Sequence, residues 1–110
     1  MTFEEYQKKA LETALYLEDE RNKVIYPSLG LAGEAGEVAN KVKKVLRDKN
    51  WDFSSEIRNE VEGELGDVLW YVAQVATDLN LSLENIVKRN IEKLASRKER
   101  GVLGGDGDRR

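Results

Sequence analysis

Apolar residues recur at every third or fourth position along most of this 110-residue chain, and its single proline is Pro27. This spacing keeps apolar side chains on one face of an α-helix, whereas a half-buried strand requires strict alternation. It predicts four helices and no strands, at roughly 3–20, 28–48, 55–80 and 83–100. Because long helices with short connectors pack side by side, we expect an all-α, antiparallel four-helix bundle.

Residues typical of helix ends support these limits. Thr2 has the position of an N-cap three residues before Glu5, and Ser82 has the same position before the fourth helix. Gly101 is a plausible stop for that helix. We therefore expect one domain over residues 1–100 and a flexible tail over 101–110, which is rich in glycine and charge.

The third helix is apolar on most of its sides, since only Gln74 is strongly polar between Val68 and Ala76. Such a helix needs neighbours on most sides, and three other helices of this size are few. The pattern favours a homo-oligomer with the third helix near the interface. The alternative is a central helix in a monomer.

The residue types that are missing restrict the chemistry. The chain has no Cys and no His, which excludes disulfides, zinc–thiolate sites, cysteine nucleophiles and histidine bases. Any bound metal must accept oxygen ligands alone, as Mg²⁺, Mn²⁺ and Ca²⁺ do. The net charge of −3 argues against stable nucleic-acid binding. Neither a membrane-spanning run nor a signal peptide is evident, so we expect a cytoplasmic protein without membrane partners.

Four acids in two matched pairs are the clearest functional signal. Glu34 and Glu37 lie in the second helix, and Glu64 and Asp67 lie in the third. The i, i+3 spacing projects both members of each pair from one helix face. If the two helices pack together, four carboxylates converge and require a cation or raised pKa values. The alternative is a set of solvated surface acids, as most helix glutamates are.

Five glycines surround these acids: Gly30, Gly33 and Gly36 in the second helix, and Gly63 and Gly66 in the third. Each glycine inside a helix costs about 1 kcal/mol relative to alanine. Tight helix packing and ligand access explain this cost equally well.

Residues elsewhere could complete a phosphate site. Asn90, Lys93 and Arg97 share one stripe of the fourth helix and could hold phosphate oxygens, although such residues are usually only solvated. Trp51, in the loop between the acid-bearing helices, is the best candidate to stack on a base. A hydrophobic plug over the end of the bundle is an equally good interpretation of Trp51.

The segments Gly-Leu-Ala-Gly-Glu-Ala-Gly-Glu-Val at 30–38 and Glu-Leu-Gly-Asp-Val-Leu-Trp-Tyr at 64–71 resemble the MazG-like nucleoside triphosphate pyrophosphohydrolases. The family motif is Glu-x-x-Glu, a spacer, then Glu-x-x-Asp. Tyr71 matches the family's aromatic residue one turn after the aspartate, and the three polar residues of the fourth helix look like its phosphate contacts. Gly33 stands where the family often has a further Glu.

The resemblance implies Mg²⁺-dependent hydrolysis of (deoxy)nucleoside triphosphates to the monophosphate and pyrophosphate, in dimers or tetramers. Mg²⁺ would be held by the four paired acids, with Mn²⁺ as the second candidate. Because the chain lacks histidine, a carboxylate must accept the proton if a side chain does so at all, and Glu37 or Glu34 is favoured with Glu60 as a competitor. The alternatives are an enzyme specialised for dUTP, dCTP or phosphoribosyl-ATP, and a non-catalytic helical module that binds a structural cation.

Overall fold

The computed structural model describes all residues from Met1 to Arg110 and contains four α-helices and no strands. Helix α1 spans Phe3–Leu11, α2 spans Ile25–Asp48, α3 spans Ser55–Asp78 and α4 spans Leu83–Glu99. Two short 3₁₀ helices, Leu15–Glu18 and Glu20–Asn22, connect α1 to α2. The all-helical prediction is therefore confirmed. None of these helices combines the length and the apolar composition needed to cross a membrane.

The predicted extent of the first helix is wrong, because α1 ends at Leu11 instead of near residue 20. The Thr13 hydroxyl donates to the carbonyl of Ala10 at 3.1 Å and accepts the indole N–H of Trp70 at 2.8 Å. A side chain that bonds to nearby backbone in this way competes with continued helix. The contact with α3 therefore outweighs the local preference for helix beyond Leu11.

The other helix limits agree with the sequence pattern. Pro27 lies in the first turn of α2, where a missing backbone N–H breaks no bond within the helix. Thr2, Ser54 and Ser82 cap α1, α3 and α4, each accepting a backbone N–H three residues later at 3.1–3.3 Å. These caps satisfy donors that every helix start leaves free.

Helix α4 ends in a left-handed turn at Gly101, as predicted, with φ +72°. The N–H of Val102 donates to the carbonyl of Arg97 at 2.8 Å, and the N–H of Gly101 donates to Lys98 at 3.2 Å. This pair of bonds is the Schellman arrangement, which turns the chain back along its helix. The structure gives the residues after Gly101 a defined path beside α4, and the predicted flexibility of this tail stays a prediction.

Helices α2 and α3 form the main helix pair. Lys41 contacts Glu64, the backbone of Gly30 approaches the ring of Tyr71, and the N–H of Val24 donates to Asp78. Later residues of α3 therefore contact earlier residues of α2. The acid-bearing stretch of each helix lies in the middle of this seam.

Helix α1 packs across α3 and the start of α4. Ala10, Ala73 and Leu83 form a small buried cluster, with Tyr6, Trp70 and Val72 against it. The Gln7 side chain donates to Thr77 and accepts from the N–H of Leu83, at 3.0 and 2.9 Å. These contacts hold one end of α3 between two other helices.

The single chain has a small core for its length. Only ten of its 110 residues are buried, and the radius of gyration is 16.8 Å. A compact domain of this length has a radius of gyration of about 13 Å. Large apolar side chains remain exposed on every helix, including Leu29, Leu65, Leu69 and Ile91. The chain alone therefore leaves apolar faces without a partner.

Candidate metal centre

Three carboxylates from two helices meet in the α2–α3 seam. Glu34 comes from α2, and Glu64 and Asp67 come from successive turns of α3. One oxygen from each side chain lies within 4.8 Å of the other two. Glu34 and Glu64 are partly buried, whereas Asp67 is exposed to solvent. The structure thus brings together three of the four acids that the sequence singles out.

Glu37 stands outside this group. It lies on α2 one turn after Glu34, and its side chain is exposed. Its charge still acts on the centre, because it is among the charges that raise the pKa of Glu34. The assignment of Glu37 as a ligand or as the proton acceptor stays a prediction.

The electrostatics of the group favour a cation. The pKa of the Glu34 carboxyl is raised, first by a hydrogen bond shared with Glu64, then by desolvation and by the charges of Asp67 and its other acidic neighbours. Like charges this close cannot all ionise without cost. A divalent ion between them removes that cost, and carboxylate oxygens alone suit Mg²⁺ or Mn²⁺.

The spacing of the three oxygens fits such an ion after a small adjustment. In an octahedral Mg²⁺ site each ligand lies at about 2.1 Å, so two ligand oxygens are at most about 4.2 Å apart. The three carboxylate oxygens lie within 4.8 Å of one another, so their largest separation can slightly exceed this value. Small side-chain rotations would close it, and the exposed face of Asp67 leaves room for further ligands.

Lys41 is the cation that contacts the acids of α3. Its ammonium lies 3.6 Å from a Glu60 oxygen and 3.8 Å from a Glu64 oxygen. It shares one stripe of α2 with Glu34, and Glu60 precedes Glu64 by one turn of α3. The sequence made Glu60 a candidate proton acceptor, and its pairing with Lys41 became evident only in the structure. Lys41 offsets part of the repulsion in the group.

Tyr71 borders the acids on the other side, and Gly30 makes room for it. A Cβ atom built on Gly30 would lie 2.2 Å from Cε1 of Tyr71, which is far inside contact distance. Burial raises the pKa of the Tyr71 hydroxyl first, and Tyr26 and the charges of Glu34 and Asp67 raise it further. The phenol therefore lies close to the carboxylates, as its place one turn after Asp67 predicts.

The other four glycines near the acids have no such neighbour. Nothing lies within 4 Å of a Cβ built on Gly33, Gly36, Gly63 or Gly66. Within one chain, tight packing accounts for Gly30 and for none of these four.

Aromatic rings continue the site beyond Tyr71. The ring of Tyr26 stacks on Tyr16 with centroids 5.0 Å apart, and Trp70 packs edge-on against Tyr71 at 5.0 Å. Tyr6 packs against the same buried cluster as Trp70. Burial and then the charge of Asp67 raise the pKa of its hydroxyl. The sequence pattern singles out Tyr71 but not this grouping of rings, because the position of Tyr16 depends on the irregular path after α1.

Trp51 lies apart from this aromatic group. It follows α2 with φ +63°, and 67% of its surface is exposed. Within one chain it does not close the loop over the helix ends. Its role in base stacking stays a prediction.

The three polar residues of α4 are not joined to the acids within one chain. Asn90 is exposed, and Lys93 and Arg97 form their ion pairs with Asp108 in the tail. Asp108 was not anticipated from the sequence, because no periodic pattern links the tail to α4. The role of these three residues in phosphate binding stays a prediction.

Comparisons with known proteins found a family and a relative for this sequence. The family model described as MazG nucleotide pyrophosphohydrolase domain matches residues 27–102, which contain all four paired acids and the whole of α4. The chain is 50% identical over 109 residues to the Gene 37 protein of Mycobacterium phage L5, with 96% of each chain covered. No solved structure matches the chain. The matched region covers more than half of the sequence, and the chain therefore belongs to the MazG nucleotide pyrophosphohydrolase family.

Proposed function

We propose that the protein hydrolyses (deoxy)nucleoside triphosphates to the monophosphate and pyrophosphate in a Mg²⁺-dependent reaction. The observation that carries this proposal is the group formed by Glu34, Glu64 and Asp67, contributed by two helices of a MazG-family chain. Three acids and no imidazole or thiolate form an oxygen-only donor set.

These three residues would hold the ion, and Glu37 would be left free to accept a proton. When bound, Mg²⁺ would supply the positive charge that attracts phosphate oxygens and would make a nearby water more acidic. Glu37 is exposed and lies one turn from the group, so its oxygens remain available to water. We assign it the role of general base for attack at the α-phosphorus, with Glu34 as the second candidate.

The remaining residues would bind and orient the substrate. Tyr71 follows Asp67 by one turn of α3, and the charges of Glu34 and Asp67 help to raise the pKa of its hydroxyl, so it is the candidate for a contact with sugar or phosphate. Lys93 and Arg97 would neutralise the outer phosphates, and Asn90 would orient an oxygen or the sugar. Trp51 would stack on the base.

We further propose that the working form is an antiparallel bundle assembled as a homo-oligomer, a dimer or a tetramer. The small core, the large radius of gyration and the exposed leucines of α3 support this assembly. Within one chain, Lys93 and Arg97 pair with Asp108 and not with the acids of the seam. In an oligomer, these cations of one subunit would lie near the acids of another.

Pyrophosphate release tests the proposed function. A panel of ribo- and deoxyribonucleoside triphosphates, with phosphoribosyl-ATP added, is assayed with Mg²⁺ and with a chelator in its place. We expect release that requires Mg²⁺ and is lost in Glu64→Gln. Activity on a single nucleotide would favour the specialised enzyme, and no release from any nucleotide would favour the non-catalytic helical module.

A further inference from the structure

The tail after Gly101 folds into a compact loop around one guanidinium group. The Arg110 side chain donates to four backbone carbonyls of the tail at 2.6–3.1 Å: Val102, Leu103, Gly104 and Gly107. The carbonyl of Arg110 in turn accepts from the side chain of Arg100, at the end of α4, at 2.7 Å. The loop is thus organised by its own arginine and is tied to the helix.

This loop places Asp108 on two cations of α4. The Asp108 carboxylate lies 2.7 Å from the Lys93 ammonium and 3.3 Å from the Arg97 guanidinium. The guanidinium of Arg97 also donates to the backbone carbonyl of Asp108. Arg97 is only 5% exposed, and its Nε has no hydrogen-bond partner. The tail therefore contacts the buried Arg97 and supplies the anion for both cations.

A stronger anion can replace Asp108 on these two cations. The Asp108 side chain is 79% exposed, and Lys93 hydrogen-bonded to it holds the pKa of its carboxyl below the ordinary value. An exposed ion pair such as that of Asp108 with Lys93 changes an equilibrium by only about one- to fivefold. A phosphate group carries up to about two charges and three strong acceptor oxygens, and so it suits the same two cations better than one carboxylate does.

We propose that Asp108 is an internal competitor that occupies Lys93 and Arg97, so that a polyphosphate chain must displace the tail in order to bind there. The proposal rests on the proposed function, in which these two residues contact the outer phosphates. It adds a regulatory role for the tail, because anything that holds or releases the tail would change affinity for substrate.

Two variants with the same change of charge test the competition. Asp108→Asn removes the competing carboxylate, whereas Asp106→Asn removes a charge from a tail residue that makes no hydrogen bond or ion pair. Binding of inorganic tripolyphosphate is measured by calorimetry without added metal. We expect the dissociation constant to fall about two- to tenfold in Asp108→Asn and to stay within about twofold in Asp106→Asn. Equal dissociation constants for the two variants, or no binding by any protein, would overturn the proposal.

A second matched pair tests the loop itself. Arg110→Ala removes the guanidinium that organises the tail, and Arg109→Ala removes an equal charge that makes no hydrogen bond or ion pair. We expect tighter tripolyphosphate binding in Arg110→Ala than in Arg109→Ala. In a Lys93→Gln background, the effect of Asp108→Asn should shrink, because one of the two contested cations is gone. An undiminished effect would count against the proposal.

Nucleotide hydrolysis separates this proposal from the proposed function. If the parent protein releases pyrophosphate and Asp108→Asn leaves KM unchanged, the competition is refuted and the function stands. If no nucleotide is hydrolysed but Asp108→Asn alone binds tripolyphosphate more tightly, the competition stands and the failure belongs to the proposed function.

Discussion

Gly30 shows how a missing side chain can set the position of a functional one. Its backbone approaches the ring of Tyr71 so closely that no Cβ fits, and Tyr71 in turn lies beside Glu34 and Asp67. Of the five glycines near the acids, this one alone has a packing reason within the chain. Sequence alone could not distinguish them, because all five lie inside helices at a similar cost.

We predict opposite effects of alanine at two of these glycines. Gly30→Ala should destabilise the protein by about 1–3 kcal/mol, because the added methyl group overlaps Tyr71. Gly36→Ala meets open space and should stabilise α2 by up to about 1 kcal/mol. Urea unfolding of both variants measures the difference. Equal changes in the two would contradict the close approach at Gly30.

The two glutamates of α2 are chemically alike but differently placed. Glu34 joins Glu64 and Asp67 in a three-oxygen group, whereas Glu37 is exposed outside that group. The sequence predicts their common helix face but not which carboxylate reaches across the seam. That choice depends on the packing of α2 against α3.

We predict that substitution separates their roles. Glu34→Gln should weaken Mn²⁺ or Mg²⁺ binding at least about tenfold, because it removes one of three ligands. Glu37→Gln should leave the fold and metal affinity nearly unchanged and lower kcat at least about 10²-fold. Calorimetric metal titration, with kcat measured in parallel, gives both quantities. Comparable loss of metal affinity in both variants would show that Glu37 is a ligand.

At the scale of elements, the seam between α2 and α3 is fixed at its far end by a buried carboxyl group. Asp78 is 7% exposed and accepts the Tyr16 hydroxyl and the N–H of Val24, each at 2.9 Å. Val24 precedes α2 with φ +66°, a conformation that is unfavourable for a β-branched residue. The bonds to Asp78 therefore hold a strained entry into the helix that carries Glu34.

We predict that Tyr16→Phe destabilises the protein by about 1–3 kcal/mol, because Asp78 stays buried with one donor fewer. Burial and the bond to Asp78 raise the pKa of Tyr16 above its ordinary value near 10. A raised folded-state pKa stabilises the protein fully below pH about 10, and this contribution is lost as pH rises further. Thermal unfolding from pH 8 to 11 should show a steeper alkaline loss in the parent than in Tyr16→Phe. Parallel curves would contradict this role.

The ends of helices were predictable from the sequence wherever a capping residue or a glycine turn sets them. The caps at Thr2, Ser54 and Ser82 and the turn at Gly101 need only neighbouring residues. The end of α1 was not predictable, because it depends on a contact between Thr13 and a residue of α3, 57 positions away. The contact of Asp108 with α4 escaped prediction for the same reason, since it depends on the fold of the tail.

For the whole molecule, the chain has more apolar surface than its own core can use. Its radius of gyration exceeds that of a compact domain of this length by roughly a quarter. The apolar run from Val68 to Ala76 in α3 indicated this excess of apolar surface from the sequence, because it has more apolar sides than three neighbouring helices can cover. Leu65 and Leu69, one turn apart on α3, remain about half exposed.

We predict that these two leucines lie in a subunit interface. The double variant Leu65→Lys, Leu69→Lys should sediment with the mass of one chain, because charged groups cannot be buried there without partners. Glu56→Lys, at an exposed position on the opposite side of α3 from Leu65, serves as the control and should keep the assembly of the parent. Sedimentation velocity distinguishes these states. A monomeric parent protein would refute the interface.

The central claim is that the acids of the α2–α3 seam support water attack at the α-phosphorus of a nucleoside triphosphate. Hydrolysis in ¹⁸O-enriched water with Mg²⁺, followed by mass analysis of the products, tests it most directly. We predict that the heavy oxygen appears in the nucleoside monophosphate, that pyrophosphate stays unlabelled, and that Glu64→Gln yields neither product. Label in pyrophosphate or in inorganic phosphate, or no hydrolysis by the parent protein, would contradict the claim.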